Sequence, residues 1–171
     1  MKKIVIGFSR SKSPWKIGSK IIQEVEKRDF SHVYIRYSCP TTGVEVVAQA
    51  SHGYVNEVSF EIFQIQNIVI EEYEMFSTKD QFKDVLTFIQ KNKGKDYSQM
   101  QIILIGIKKI FHIELDQYEN RDMAYICSEF GARIMQILGK QMSEHLDFVT
   151  PSNFREIIRN IPDIKLVYYR L

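Results

Sequence analysis

Ser31-His-Val-Tyr-Ile-Arg-Tyr-Ser38, Cys39-Pro-Thr-Thr-Gly43 and Val44-Glu-Val-Val-Ala-Gln-Ala50 form the stretch whose reading decides the fold. Its two flanks are rich in Val, Ile and Tyr, residues that suit a pleated, half-buried surface, and the Pro/Gly cluster between them is turn-forming. The pattern predicts an antiparallel hairpin. With Cys39 to Thr42 as the turn, Ser38 faces Gly43 and His32 faces Gln49. Their Cβ atoms would lie about 5 Å apart on one side of the sheet. A slip of two residues would put Val47 or Ser51 opposite His32 instead.

Outward from the hairpin, Lys3 to Phe8 reads as a strand, and Ile17, Ile21, Ile22 and Val25 recur at the spacing of a helix over about 16–27. Strands are expected from Val55 to Gln64, where Ser59 and Glu61 alternate with Phe60 and Ile62, and from Asn67 to Met75. At Ser77 the period changes. Ser77 or Thr78 can cap a helix to about Asn92 with Phe82, Val85, Leu86 and Ile89 on one face. Lys93 to Tyr97 is a loop, and 100–110 is read as a helix. Cys127 opens another, with Phe130, Ile134, Ile137 and Leu138 inward and Gly139 as its stop. Thr150-Pro-Ser-Asn starts a short helix to about Arg159, and Leu166 to Leu171 is a last strand. Strands grouped together and then helices argue for α+β with an antiparallel sheet, not a doubly wound parallel one. With no repeats, low-complexity tracts or linkers, the reading is a single domain over residues 1–171.

At 171 residues with 44% hydrophobic content, the chain can bury a core without disulfide or metal staples. Its two cysteines, Cys39 and Cys127, rule out a disulfide scaffold and are expected to be thiols. A net charge of +2 argues for no nucleic-acid partner, and the basic run Lys2, Lys3, Arg10, Lys12, Lys16 reads as a solvated face. The longest apolar run, 102–107, falls far short of the roughly 20 residues a membrane helix needs, so no integral membrane segment is expected. The start resembles a signal peptide, but its apolar stretch is short and soon meets Arg10 and Lys12, which points to a cytoplasmic protein. Paired Cys/His spacing for zinc is lacking, and Gly7-Phe-Ser-Arg-Ser-Lys-Ser has no P-loop spacing, so neither a metal nor a cofactor is expected.

The chemistry gathers on three residues. Cys127 sits at a helix N-terminus, where unpaired N–H groups and the dipole favour thiolate, the reactive species. The competing reading of a lone cysteine is a small buried hydrophobe. A cysteine nucleophile needs a base, and the base needs an orienting group. The hairpin supplies His32 as base and Gln49 as its orienter. Of the other histidines, His52 reads as a solvated loop residue, while His112 and His145 have no assignable partners. Glu129 reads as a first-turn acid that favours the helix dipole.

Ser31-His-Val33, Val47-Ala-Gln-Ala50, Gly94-Lys-Asp-Tyr-Ser98, Cys127-Ser-Glu129 and Thr150-Pro-Ser152, in that order, resemble the landmarks of the circularly permuted NlpC-like branch of the papain-like cysteine hydrolases. In that branch the histidine strand precedes the cysteine helix. The resemblance implies a papain-like fold and a Cys–His–polar triad of Cys127, His32 and Gln49, with Glu45 as the substitute orienter. It places Tyr97 as a substrate-contacting residue of the site. The implied activity is a thiol hydrolase that cleaves amide (peptide-type) or ester bonds through a thioester. Peptide, amide or acyl-lipid substrates follow from it. The competing functions are a non-catalytic binding module on the same fold and a thiol-dependent lipid acyltransferase.

Overall fold

The computed structural model describes residues 1–13, 28–51, 54–94, 127–142 and 149–170. The helices expected over 16–27 and 100–110 lie outside them, as do Tyr97, His52, His112 and His145. The described residues form an α+β structure. Its sheet contains β1 (Lys2–Ser11), β2 (His32–Ser38), β3 (Glu45–Ser51), β4 (Tyr54–Ser59), β5 (Asn67–Ser77) and β6 (Lys165–Tyr169). The strand order is β4-β3-β2-β1-β5-β6, and every neighbouring pair is antiparallel. Strands from the two ends of the sequence, β1 and β6, thus join one sheet. Among the described residues four helices accompany it: α1 (Phe60–Gln66), α2 (Lys79–Asn92), α3 (Cys127–Ile137) and α4 (Pro151–Arg159).

The strand expected over 55–64 is observed as β4 up to Ser59, and helix α1 corrects the remainder from Phe60. The alternation of Phe60 and Ile62 also suits the first turn of a helix, and the cap decides between them. The Ser59 hydroxyl accepts from the Ile62 N–H at 3.3 Å, and Phe63 is driven into the core. The other helix starts follow their caps. Thr78 and Gln81 form a reciprocal capping box ahead of α2. Thr150 accepts from Asn153 N–H, with Pro151 at the first turn of α4.

The two faces of the sheet differ. One carries the main core: Ile4, Ile6, Phe8, Val33, Ile35, Tyr37, Ala48 and Ala50, covered by apolar residues of α2, α3 and α4. Phe154 of α4 lies against Phe8, with ring centroids 6.1 Å apart. The opposite face holds a smaller cluster, Tyr34, Val47 and Phe63, under α1. On that side Gly7 leaves room for the Tyr34 ring, because a Cβ there would come within 1.9 Å of Tyr34 Cζ. Among the described residues, no helix is long and apolar enough to cross a membrane.

Candidate functional site

The hairpin register differs by two from the one expected. Ser38 pairs with Glu45, and the ladder runs to Ile35 opposite Ala48. The turn is longer than four residues. Cys39 N–H donates to the Val44 carbonyl and Gly43 N–H to the Cys39 carbonyl, with Gly43 at φ +71°. That conformation favours glycine and accommodates the extra length. A shift of two preserves strand parity, so Gln49 stays on the same side as His32. Nε2 of His32 and Oε1 of Gln49 are 2.8 Å apart in a side-chain hydrogen bond. An amide oxygen can only accept, so this bond corresponds to the tautomer with the proton on Nε2.

The pair occupies a fork. The Cα partners of β2 and β3 end at Ile35 and Ala48, yet β2 begins at His32 and β3 continues to Ser51. Gln49 lies between Ala48 and Ala50, both in the helix-side core. By alternation its side chain therefore leaves on the α1 side. His32 is the first residue of its strand. Cys127 of α3, by contrast, is buried in the helix-side core.

Glu45 is committed elsewhere. Arg36 Nη1 donates to it at 2.6 Å, and the Ser38 hydroxyl also donates to it. Burial works to raise the Glu45 carboxyl, but the bonds from Ser38 and Arg36 outweigh it and hold it below the ordinary carboxylate range. Gln49, not Glu45, is the residue that meets the imidazole.

Cys127 is the first residue of α3 and is 3% exposed. The packing of α3 sets its direction along β2. A Cβ on Gly131 would lie 3.1 Å from Val33 Cγ1, so the missing side chain lets the helix sit close to the start of the strand. Farther along, Gln81 Nε2 donates to the Leu138 carbonyl at 3.2 Å. The neighbouring Phe82 ring meets Tyr37 edge-on at 5.9 Å. Gly131 to Leu138 is about 10 Å of helix, and Val33 to Tyr37 is about 13 Å of strand. Helix and strand therefore run in the same sense, and Cys127, one turn before Gly131, lies at the His32 end. Just beside it, the Ser128 hydroxyl donates to the Val149 carbonyl, tying the first turn of α3 to the segment before α4. Glu129 is buried and lies 3.8 Å from Arg133, one turn along.

Neither cysteine is in a disulfide. Hydrogen bonds from the Thr42 hydroxyl and from the backbone N–H groups of Thr42 and Thr41 hold the Cys39 thiol below its ordinary value. Among the described residues, no group of three or more His, Cys, Asp and Glu side chains could hold a metal ion.

Two residues beside the pair escape sequence reasoning. Ser9 is directly opposite His32 on β1, and Asn56 is directly opposite Gln49 on β4. Ser9 Oγ and Asn56 Oδ1 are the buried side-chain polar atoms that have no hydrogen-bond partner among the described residues. Only the strand registers could have identified them, and those are not readable from local pattern.

No protein-family model and no curated protein matches the chain. A solved structure is similar in fold: the crystal structure of metalloprotein yiiX from Escherichia coli O157:H7, DUF1105. It has a TM-score of 0.51 and 13% identity, and the match covers 99% of this chain and 97% of that one. The similarity extends over the α+β architecture as a whole, from the first strand of this chain to its last.

Proposed function

We propose that this chain is a thiol hydrolase of the circularly permuted NlpC-like, papain-like kind, with Cys127 as nucleophile, His32 as base and Gln49 as orienting residue. The observation that carries the reading is the 2.8 Å bond between His32 Nε2 and Gln49 Oε1. It leaves Nδ1 as the basic nitrogen, and Cys127 begins a helix at the same end of β2. The thiolate is the reactive species, so its formation calls for a base beside it to hold the proton. The proton passes from Cys127 Sγ to His32 Nδ1, while Nε2–H stays on Gln49. The thiolate then adds to a substrate carbonyl, and the N–H groups at the start of α3 support the oxyanion. Collapse expels the amine or alcohol, which takes the proton from His32, and leaves a thioester. Water, with His32 again as base, releases the acid and restores the thiol. Tyr97 would line the substrate side, as the family resemblance implies. The substrates are peptide-type amides or acyl esters, those of lipids included.

The test is intact-mass analysis after incubation with short peptide amides and p-nitrophenyl acyl esters. The expected result is an acyl adduct mapped to Cys127 that decays in water and is lost in Cys127→Ala. An adduct that persists in water and moves to an added amine or alcohol would assign acyl transfer instead. No adduct and no turnover would overturn the enzyme reading in favour of a binding module.

A further inference from the structure

The two edges of the sheet are finished differently. At the β4 edge the Gly94 N–H donates to the Val55 carbonyl at 2.9 Å, and Gln90 and Lys93 bind Glu57 at 2.7 and 2.9 Å. The other edge is β6, and every residue of it is exposed. It carries four large apolar or aromatic side chains in succession, Leu166, Val167, Tyr168 and Tyr169, at 53%, 50%, 42% and 53% exposure. The register distributes them around the rim instead of gathering them on one face. Tyr168 is opposite Glu72 and so lies on the α1 side. Leu166 and Tyr169 are opposite Tyr73 and Glu71 on the other side, and Val167 is the extra residue at the register shift.

The charge of the rim has one sign. From Ile164 to Arg170 the sequence holds no acid, and Lys165 and Arg170 bracket the apolar run. The acids nearby are already matched: Asp163 binds Lys140, Glu74 lies 3.7 Å from Lys3, Glu71 binds Arg155 and Glu72 binds Arg36. Lys165 and Arg170 are in no ion pair among the described residues. Exposed apolar side chains with cations at both ends suit an anionic lipid surface. Strand addition by a second copy suits the rim less, because a short edge strand, a bulge and an edge lysine are features that discourage pairing. A partner lying flat on one face would leave the other half of the rim in water, whereas an interface entered edge-on covers both. The unpaired backbone groups of an edge bar it from the hydrocarbon core. They set its depth at the headgroup layer, where tyrosine rings settle and water serves the backbone. We propose that β6 is a docking edge for the surface of an anionic phospholipid bilayer. Leu166, Val167, Tyr168 and Tyr169 enter the headgroup layer, and Lys165 and Arg170 meet its anionic groups. The proposal is independent of the thiol chemistry.

The test is co-sedimentation of the full chain with vesicles of phosphatidylcholine and phosphatidylserine, three parts to one, against vesicles of phosphatidylcholine alone. The expected result is binding to the mixed vesicles that weakens without phosphatidylserine and with added salt. Each cation near such a surface is worth about fivefold in partitioning, so Lys165→Gln with Arg170→Gln should weaken binding by about 25-fold. Tyr168→Ser with Tyr169→Ser, which leaves the charge intact, should weaken it as well. Lys79→Gln with Lys83→Gln removes the same charge from the exposed side of α2 and should change little. Absence of binding to the mixed vesicles would overturn the proposal. An equal loss in the two charge variants would overturn it too, by showing attraction to net charge alone. A chain that is dimeric without vesicles, and monomeric in Tyr168→Ser with Tyr169→Ser, would overturn it in favour of a second copy on this edge.

Discussion

Two polar clusters share the α1 side of the sheet, and they differ in how fully their groups are matched. In the first, Glu72 accepts from Tyr34 at 2.7 Å and from Arg36 at 3.0 and 2.8 Å. The remaining Arg36 nitrogen goes to Glu45, and the guanidinium lies 4.5 Å over the Phe60 ring. Burial, with Glu72 alongside, pushes the Tyr34 hydroxyl well above its ordinary value, so it stays a donor. Every donor in it has an acceptor, and one guanidinium serves both carboxylates, which is what a cluster that only holds strands together requires. The second cluster, Ser9, His32, Gln49 and Asn56, is built from weaker groups and ends at each side on an atom with no partner among the described residues. A fold tolerates such incompleteness where a group has work besides holding the fold. The first cluster should therefore govern stability and the second reactivity.

Arg36→Ala is the strongest way to break that comparison. It leaves Glu72, 7% exposed, without its cation, and should cost about 3–5 kcal/mol in denaturant unfolding. If the clusters are separate, the pH profile of Cys127 labelling in the folded fraction is unchanged. A changed profile would merge them.

A matched pair on the opposite face sharpens the same point through pH. Glu71 is bound by Arg155 at 2.7 and 2.6 Å and by the Tyr73 hydroxyl at 2.7 Å. Burial works to raise its carboxyl, but these bonds outweigh it and hold Glu71 below the ordinary range. Its folded value is thus below its unfolded value of about 4.3. The stabilisation is complete above that pH and is lost as pH falls through the lower folded value. Thermal midpoints should decline on the acid side in the unsubstituted protein, and less steeply in Arg155→Gln, which starts from a lower midpoint. Parallel acid slopes would show that Glu71 contributes nothing to them.

The smallest effect is expected at Ser9. Its hydroxyl is buried with no partner among the described residues, so Ser9→Ala removes a group that none of them satisfies. Unfolding free energy should rise or stay within about 0.5 kcal/mol. A clear loss of stability would reveal a bond that closes the row at that end.

Sequence pattern carries part of this picture and stops for identifiable reasons. Helix starts at Thr78 and Thr150 are readable because a cap is a contact between near neighbours in sequence. Phe60 and Ile62 mislead because two apolar residues with one polar residue between them fit a strand as well as a helix turn. The hairpin register is off by two because Gly43, in its left-handed conformation, lengthens the turn beyond Thr42. His32 and Gln49 survive that shift because parity is unchanged by an even number. Ser9 and Asn56 could not survive it, since their place depends on the registers of β1 against β2 and β3 against β4.

The central claim, that His32 held by Gln49 activates Cys127, is tested most directly by site-resolved iodoacetamide labelling from pH 5 to 9. Unsubstituted protein and His32→Ala are compared, with Cys39 as the internal reference. An ordinary thiol titrates near 8.5. The account predicts that Cys127 labels well below that pH and slows by about tenfold at pH 7 in His32→Ala, as its thiolate fraction falls, while Cys39 is unaffected. A Cys127 that stays unlabelled throughout, or that labels identically without His32, would contradict it.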